Sequence, residues 1–213
     1  MPNAQGKPTF GDLLDEIAND IARADLDAQI ATAIDRAIRH YQPERFTFNE
    51  RILTFQTIPG ADVYGGGDAT EIPALLAIDS VMRIENEQTY PLTRIAETAI
   101  ERLDDARSAS QPCAYSYFDR AIRLWPMPSE AWTIRLAAHV EVPAPTDRDE
   151  TSPWVDEASD LIAARAKRHL GFNVLRDVAM GKVQEALADE AFRSLRGRAN
   201  RIASSGQVRA YHL

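Results

Sequence analysis

One cysteine, three lysines and no long apolar run mark this sequence by what it leaves out. Cys113 stands alone, so no intrachain disulfide can form; this suits a reducing compartment and excludes a disulfide-stapled fold. No stretch of the 213 residues approaches the ~18–20 apolar residues that a membrane-crossing helix needs. Residues 1–17 show no basic region followed by an apolar one, so a secretory signal is not expected. Lysine occurs only at Lys7, Lys167 and Lys182. The basic side chains are therefore almost all arginine, which forks carboxylates and tolerates partial burial better than lysine.

What is present is globular. Hydrophobic residues make up 45% and charged residues 26%, which excludes a disordered or collagen-like chain. The net charge of -8 hides a segregation: residues 1–160 carry -14 and residues 161–213 carry +6. Two regions of opposite sign are expected to meet different partners.

Hydrophobic spacing predicts helices at both ends. Thr9 and Asp12 form a capping-box pair ahead of Leu13, Leu14, Ile17 and Ile21. Asp25 is expected to cap a second helix, in which Leu26, Ile30, Ile34 and Ile38 repeat every four residues. The short connection predicts an antiparallel hairpin. The period then changes. Residues 75–85 read as a strand with a partner at 88–92. Residues 114–118 and 121–125 flank Asp119-Arg120 as a hairpin, and Trp132, Ile134, Leu136 and Ala138 alternate. Residues 143–153, with Pro143, Pro145, Pro153 and a charge run, read as a surface linker. Ser152-Pro153 then opens the C-terminal helices, with a break expected at Asp177–Gly181 and a polar tail after Gly197.

The fold expected is α+β: mainly a helical bundle, with an N-terminal helical hairpin, two C-terminal helices, inserted antiparallel β segments and an extended C-terminal tail. Residues 1–199 would be one domain and 200–213 the tail. Helices fall at about 9–24, 25–41, 95–106, 154–177 and 180–197, and β blocks at about 45–92 and 113–142.

Motifs for chemistry are sparse. Gly65-Gly66-Gly67 has neither the Lys-Ser/Thr of a phosphate loop nor GxGxxG spacing, so it reads as a flexible loop. His40, His139, His169 and His212 form no HxH or HxxxH pair, and no second cysteine joins Cys113, so no zinc site is expected. Serine does not occur in GxSxG. Arg193, Arg196, Arg198 and Arg201 cluster late in the chain, where cations also favour a helix C-terminus. The acidic remainder opposes general DNA binding. The aromatic group Tyr115, Tyr117, Phe118, Trp125 and Trp132 reads as core or as a half-wet protein contact.

Order and spacing of several segments resemble the phage adaptor proteins of the neck, the head-to-tail connectors that sit beneath the portal. The segments are Phe10-Gly11-Asp12-Leu13-Leu14, Ala37-Ile38-Arg39-His40-Tyr41, Glu44-Arg45-Phe46-Thr47-Phe48-Asn49-Glu50 and Leu75-Leu76-Ala77-Ile78-Asp79-Ser80-Val81. Further along come Gln111-Pro112 with Tyr115, Ile122-Arg123-Leu124-Trp125-Pro126-Met127-Pro128, Trp154-Val155, Asp160-Leu161-Ile162, Leu175-Arg176-Asp177 and Glu185-Ala186-Leu187-Ala188-Asp189-Glu190. The resemblance implies a structural virion protein and not an enzyme, assembled in the bacterial host cytoplasm, with no cofactor, no metal and no membrane contact. It implies a homo-oligomeric, usually dodecameric ring, bound to the portal protein on one side and to tail or nozzle proteins on the other. Double-stranded DNA would pass through the lumen without sequence-specific binding.

On that reading, Arg193, Arg196, Arg198, Arg201, Arg209, Tyr211 and Leu213 are the expected portal-docking residues. Tyr64, Gly65, Gly66, Gly67, Tyr115, Tyr117 and Trp125 are the expected contacts to tail or neighbouring subunits. Acidic side chains of residues 1–160 would either line the channel or coat the outside. A tail-tube or tail-completion protein of the same virion is the alternative, and a soluble regulatory or enzymatic domain of a cell a more distant one.

Overall fold

The structure, a computed structural model, describes residues 6–67, 70, 72–103 and 109–203, with the side chains of 202 and 203 not described. The chain forms two compact units: residues 1–48 with 142–213, and residues 49–141.

The first unit is helical. It contains α1 (Phe10–Asp20), α2 (Asp27–Tyr41), then α4 (Pro153–Asp156), α5 (Ser159–Leu170) and α6 (Val178–Ala203), α3 (Glu97–Arg102) belonging to the other unit. The Thr9–Asp12 capping box forms as its spacing requires. Asp12 N–H donates to Thr9 Oγ1 at 3.2 Å and Thr9 N–H to Asp12 Oδ2 at 2.9 Å. Asp25 does not cap α2. Leu26 holds the N-cap position, and Asp25 pairs instead with Arg23 at 2.7 Å. One position too early, its carboxylate cannot serve the N2 or N3 amide.

Residues 143–153 are more than a linker. The carbonyls of Glu150 and Arg148 accept from Phe10 N–H (2.9 Å) and Gly11 N–H (2.7 Å), two amides at the start of α1 that have no partner inside the helix. The Arg148 side chain adds ion pairs to Asp15 and Asp27. Trp154, wholly buried, donates its Nε1 to Val142 O at 2.9 Å and meets Phe46 and Phe48 edge-on, at 5.8 and 5.0 Å between ring centroids. The core is completed by Ile30, Ile34 and Ile38 of α2 with Leu161, Ile162 and Leu170 of α5.

The break between α5 and α6 comes earlier than expected. A π-helical turn occupies Gly171–Leu175, Arg176 is left-handed (φ 56°), and α6 begins at Val178. The amides of Arg176 and Asp177 both reach Gly171 O, closing the turn. Gly181 lies inside α6 because the two segments nearly touch there. A Cβ on Gly171 would meet Gly181 N at 3.0 Å.

The second unit holds the sheets and α3 (Glu97–Arg102). In order, its strands are β1 (Glu50–Gln56), β2 (Val63–Gly65), β3 (Leu75–Glu85), β4 (Gln88–Pro91), β5 (Thr93–Arg94), β6 (Ala109–Ser110), β7 (Ala114–Phe118), β8 (Ala121–Trp125), β9 (Met127–Pro128) and β10 (Thr133–Val140). The sheets run β1-β10-β3-β4, β2-β8-β7-β5 and β6-β9. The two expected hairpins form, each on a two-residue turn in which both residues have positive φ: Asn86-Glu87 and Asp119-Arg120. Phe55, Tyr64, Val81, Tyr115, Leu124, Ile134 and Leu136 fill one core drawn from the two larger sheets.

The expectation of a mainly helical bundle with an N-terminal hairpin is thus overturned. The chain is α+β with 43% helix and 26% strand in three sheets, and its helices are spread out. Two physical reasons account for the difference. The β segments bury enough apolar side chains to make a core of their own. The repeat Ile30-Ile34-Ile38 finds its main partner in α5, far along the chain, rather than in the adjacent α1.

Candidate functional site

No helix among the described residues is long and apolar enough to cross a membrane, and no group of three or more His, Cys, Asp or Glu side chains among them could hold a metal ion.

In the helical unit, α6 continues through Gly197, where a glycine costs a helix only about 1 kcal/mol. Arg193, Arg196, Arg198 and Arg201 are all exposed on it. At 3.6 residues per turn they are spread around the outward arc rather than gathered in one stripe. Arg196 lies over the Phe192 ring at 5.5 Å and 4.0 Å from Glu44. Arg198 borders a 170 Å³ hollow with Phe46, Phe48, Glu157 and Leu195. Arg201 Nε donates to Gly197 O at 3.3 Å. Arg209, Tyr211 and Leu213 lie outside the described residues.

A second cationic feature, missed in the sequence, lies where α2 and α5 pack. Arg36 Nη1 donates to His169 Nε2 at 2.9 Å. His40, one turn further along α2, feels Arg165, one turn earlier on α5. Two Arg–His pairs thus sit at i,i+4 spacing on each helix. The His169 pKa is pushed below its usual 6.5 by partial burial first, then by Arg36, Arg168 and Arg165. A neutral imidazole is what a guanidinium donor needs as acceptor. Arg168 is neutralised by Glu185 at 2.8 Å, and Arg39 by Asp35 at 2.9 Å. Arg36 and Arg165 have no carboxylate within ion-pair distance among the described residues. Beside Arg36 and His169, a 360 Å³ groove is walled by Ala28, Gln29, Thr32 and Val174. The signal for this site was four residues at i,i+4 in two helices 125 or more positions apart, and nothing local joins the two halves.

In the β unit, the expected contact residues divide sharply. Tyr64 is buried, its hydroxyl donating to Ala61 O at 2.6 Å and accepting from Ile58 N–H at 3.1 Å. Tyr115 is buried too. Tyr117 is half-buried, with its hydroxyl 3.1 Å from both Leu75 N and Leu75 O. Trp125 is half-buried ahead of a cis Trp125–Pro126 bond, and Gly65 ends β2. Only Gly66 and Gly67 are fully exposed. The apolar side chains that do face solvent are others: Ile52 at 75% exposure on β1 and Phe118 at 68% beside the Asp119-Arg120 turn. Ile52 is out of phase with Leu53 and Phe55, the inward residues of β1, a signal that alternation carried, whereas Phe118 shares its phase with buried Ala114 and Ser116 and is exposed by its place beside the turn.

The polar clusters of this unit are structural. Arg123 bridges Asp62 (2.8 Å) and Glu97 (2.6 Å), and Ser116 Oγ donates to Glu97, tying α3 to β7 and β8. The Ser116 hydrogen bond, then Arg123, hold the Glu97 carboxyl below its usual range. Buried Arg83 donates to Pro112 O at 3.0 Å and lies under Tyr90 and Trp132. His139 Nδ1 lies 2.9 Å from Asn49 Oδ1, and Nε2 lies 3.1 Å from Asp79 Oδ2. The Ser116 hydroxyl, buried in β7, is held by a Glu97 carboxylate that Arg123 also engages, so this pair ties strands to helix.

Compared with known proteins, residues 8–210 match the family model described as SU10 adaptor protein. No curated protein matches the chain.

Proposed function

The chain belongs to the SU10 adaptor protein family, a family of phage structural adaptors and virion components, and we propose that it is the head-to-tail adaptor of the neck. The family match across 8–210 carries this reading. Copies form a dodecameric ring, bound to the portal on one side and to tail or nozzle proteins on the other, with packaged DNA passing through the channel. The exposed arginines of α6, with Arg209, Tyr211 and Leu213, dock on the portal. Exposed loops of the β unit, Gly66 and Gly67 among them, meet tail proteins or neighbours.

Screening confines charge effects on DNA to about 8–10 Å at physiological salt, so only carboxylates lining the channel ease its passage. Images of the protein mixed with purified portal rings test the assignment. A ring seated against the portal is expected, whereas density only further down the tail makes it a tail-completion protein. Truncation after residue 203 leaves α6 whole. It is expected to abolish portal attachment with helicity unchanged, and undiminished attachment refutes the docking role of residues 204–213.

A further inference from the structure

Two exposed features of this chain are complementary, and neither is satisfied within the unit that carries it. The first is the groove beside Arg36 and His169, 360 Å³ in volume, with Ala28 and the half-exposed Val174 as its apolar wall and Gln29 and Thr32 as its polar one. The second is the tip of the β7–β8 hairpin. Phe118 stands 68% exposed, next to Asp119, which has no ion-pair partner among the described residues.

The tip presents an aromatic ring and a carboxylate on consecutive residues, Arg120 completing a turn in which both residues have positive φ. The groove presents an apolar wall and a guanidinium side by side. It is large enough for one aromatic side chain, and a guanidinium forks a carboxylate in two parallel hydrogen bonds. His169 accepts from Arg36 Nη1 alone, which leaves the remaining guanidinium N–H groups for a carboxylate. A phosphodiester backbone would answer the arginine but would leave the apolar wall wet, so a protein side chain fits better than DNA.

Resting on the ring reading above, we infer that the Phe118-Asp119 tip of one copy docks into the Arg36–His169 groove of a second copy. Each copy carries one tip and one groove, so the contact is heterologous. Such contacts close into rings when the rotation allows and otherwise run on as filaments. The groups facing the tip would be Arg36 on α2 and His169 on α5, with Arg165 and Arg168 adding positive charge near His169. The carboxylates Glu185 and Asp35 are already engaged by Arg168 and Arg39.

The test is self-association of the full chain, read by analytical ultracentrifugation, with far-UV circular dichroism to confirm folding. R36E and D119R are each expected to weaken association by about tenfold or more. The double variant R36E/D119R is expected to recover most of that loss, because the pair is restored with its signs exchanged. F118S, which changes no charge, is expected to weaken association without altering its salt dependence. If the wild type associates and these variants match it, the inference is overturned while the ring reading stands. If the wild type does not associate alone or on portal rings, the ring reading itself fails. Loss of duplex DNA binding in R36E with association unchanged would reassign the groove to phosphate.

Discussion

The helical unit and the β unit of this chain are assembled from opposite kinds of sequence proximity. The β unit is one contiguous stretch, 49–141, whereas the helical unit is built from the two ends of the chain. The β unit's own ends are paired with each other. β1 and β10 run antiparallel with Glu50 opposite His139, so the chain enters and leaves at neighbouring positions. Closing that strand pair brings residues 48 and 142 together, and with them the two halves of the helical unit. A non-local pairing in one unit thus lowers the entropic cost of the other.

The largest expected effect isolates the helical unit. Trp154→Ala removes a wholly buried indole, its bond to Val142 O and its contacts with two phenylalanines, and should cost about 3–5 kcal/mol. The remaining tryptophans, Trp125 and Trp132, both lie in the β unit. In a denaturant titration, the far-UV transition should move to lower concentration while the fluorescence transition stays. Coincident movement of both would mean the two units unfold as one.

The next effect attacks the strand pair. The bond from Thr57 N–H to Trp132 O fixes the phase of the β1–β10 ladder. By antiparallel alternation, the amides of Leu53 and Phe55 face β10, and those of Ile52 and Thr54 face the open edge of the sheet. Leu53→Pro therefore removes a ladder bond and leaves a carbonyl unpaired, at about 1–3 kcal/mol, and Ile52→Pro should cost less. If closure delivers the helical halves to each other, Leu53→Pro should also slow refolding of the helical signal in stopped-flow measurements, and Ile52→Pro should not.

Smaller still is a contrast between two glycines. Gly197 lies half-buried in α6 with open space where a Cβ would stand, so Gly197→Ala should stabilise the helical unit by about 0.5–1 kcal/mol. Gly171 faces the backbone of Gly181 at 3.0–3.1 Å. Backbone cannot step aside, so Gly171→Ala should destabilise by about 1–3 kcal/mol. Thermal melts of the two variants should shift in opposite directions.

Where the sequence was legible, and where not, follows the same division between local and distant. Local devices were readable from their residues: the Thr9–Asp12 box, the Ser152-Pro153 helix start and the hairpins around Asn86-Glu87 and Asp119-Arg120. Features decided by distant partners were not. The apolar stripe of α2 could not declare that it faces α5, nor could the β segments show that they share a core. Tyr64 and Tyr115 were expected at a contact surface and lie buried, because aromatic content alone does not tell core from interface. The arginines of α6 were visible as a cluster. The Arg36–His169 pair was not, since 133 residues separate its members.

The smallest effect separates the two units by pH. His169 and His40 belong to the helical unit and both titrate below their usual 6.5. For His40 the causes are partial desolvation, then Arg165 and Arg168, opposed by Glu44. The unfolded chain takes up these protons first, so the helical unit keeps its full stability above pH 6.5 and loses part of it as pH falls through the folded values. The β unit responds later. Glu97 is held below its usual 4.5 by Ser116 and Arg123, so its contribution is present above pH 4.5 and fades only as pH falls through its folded value. In a Trp154→Phe chain, whose fluorescence comes from Trp125 and Trp132 alone, acid titration should therefore weaken the helical signal as pH falls below 6.5 with the fluorescence still native. His169→Gln should flatten the first phase, because a glutamine can accept from Arg36 without taking a proton. Glu97→Gln should flatten the second phase alone. A single acid transition common to both probes, unmoved by either variant, would show that neither group sets the pH response of its unit.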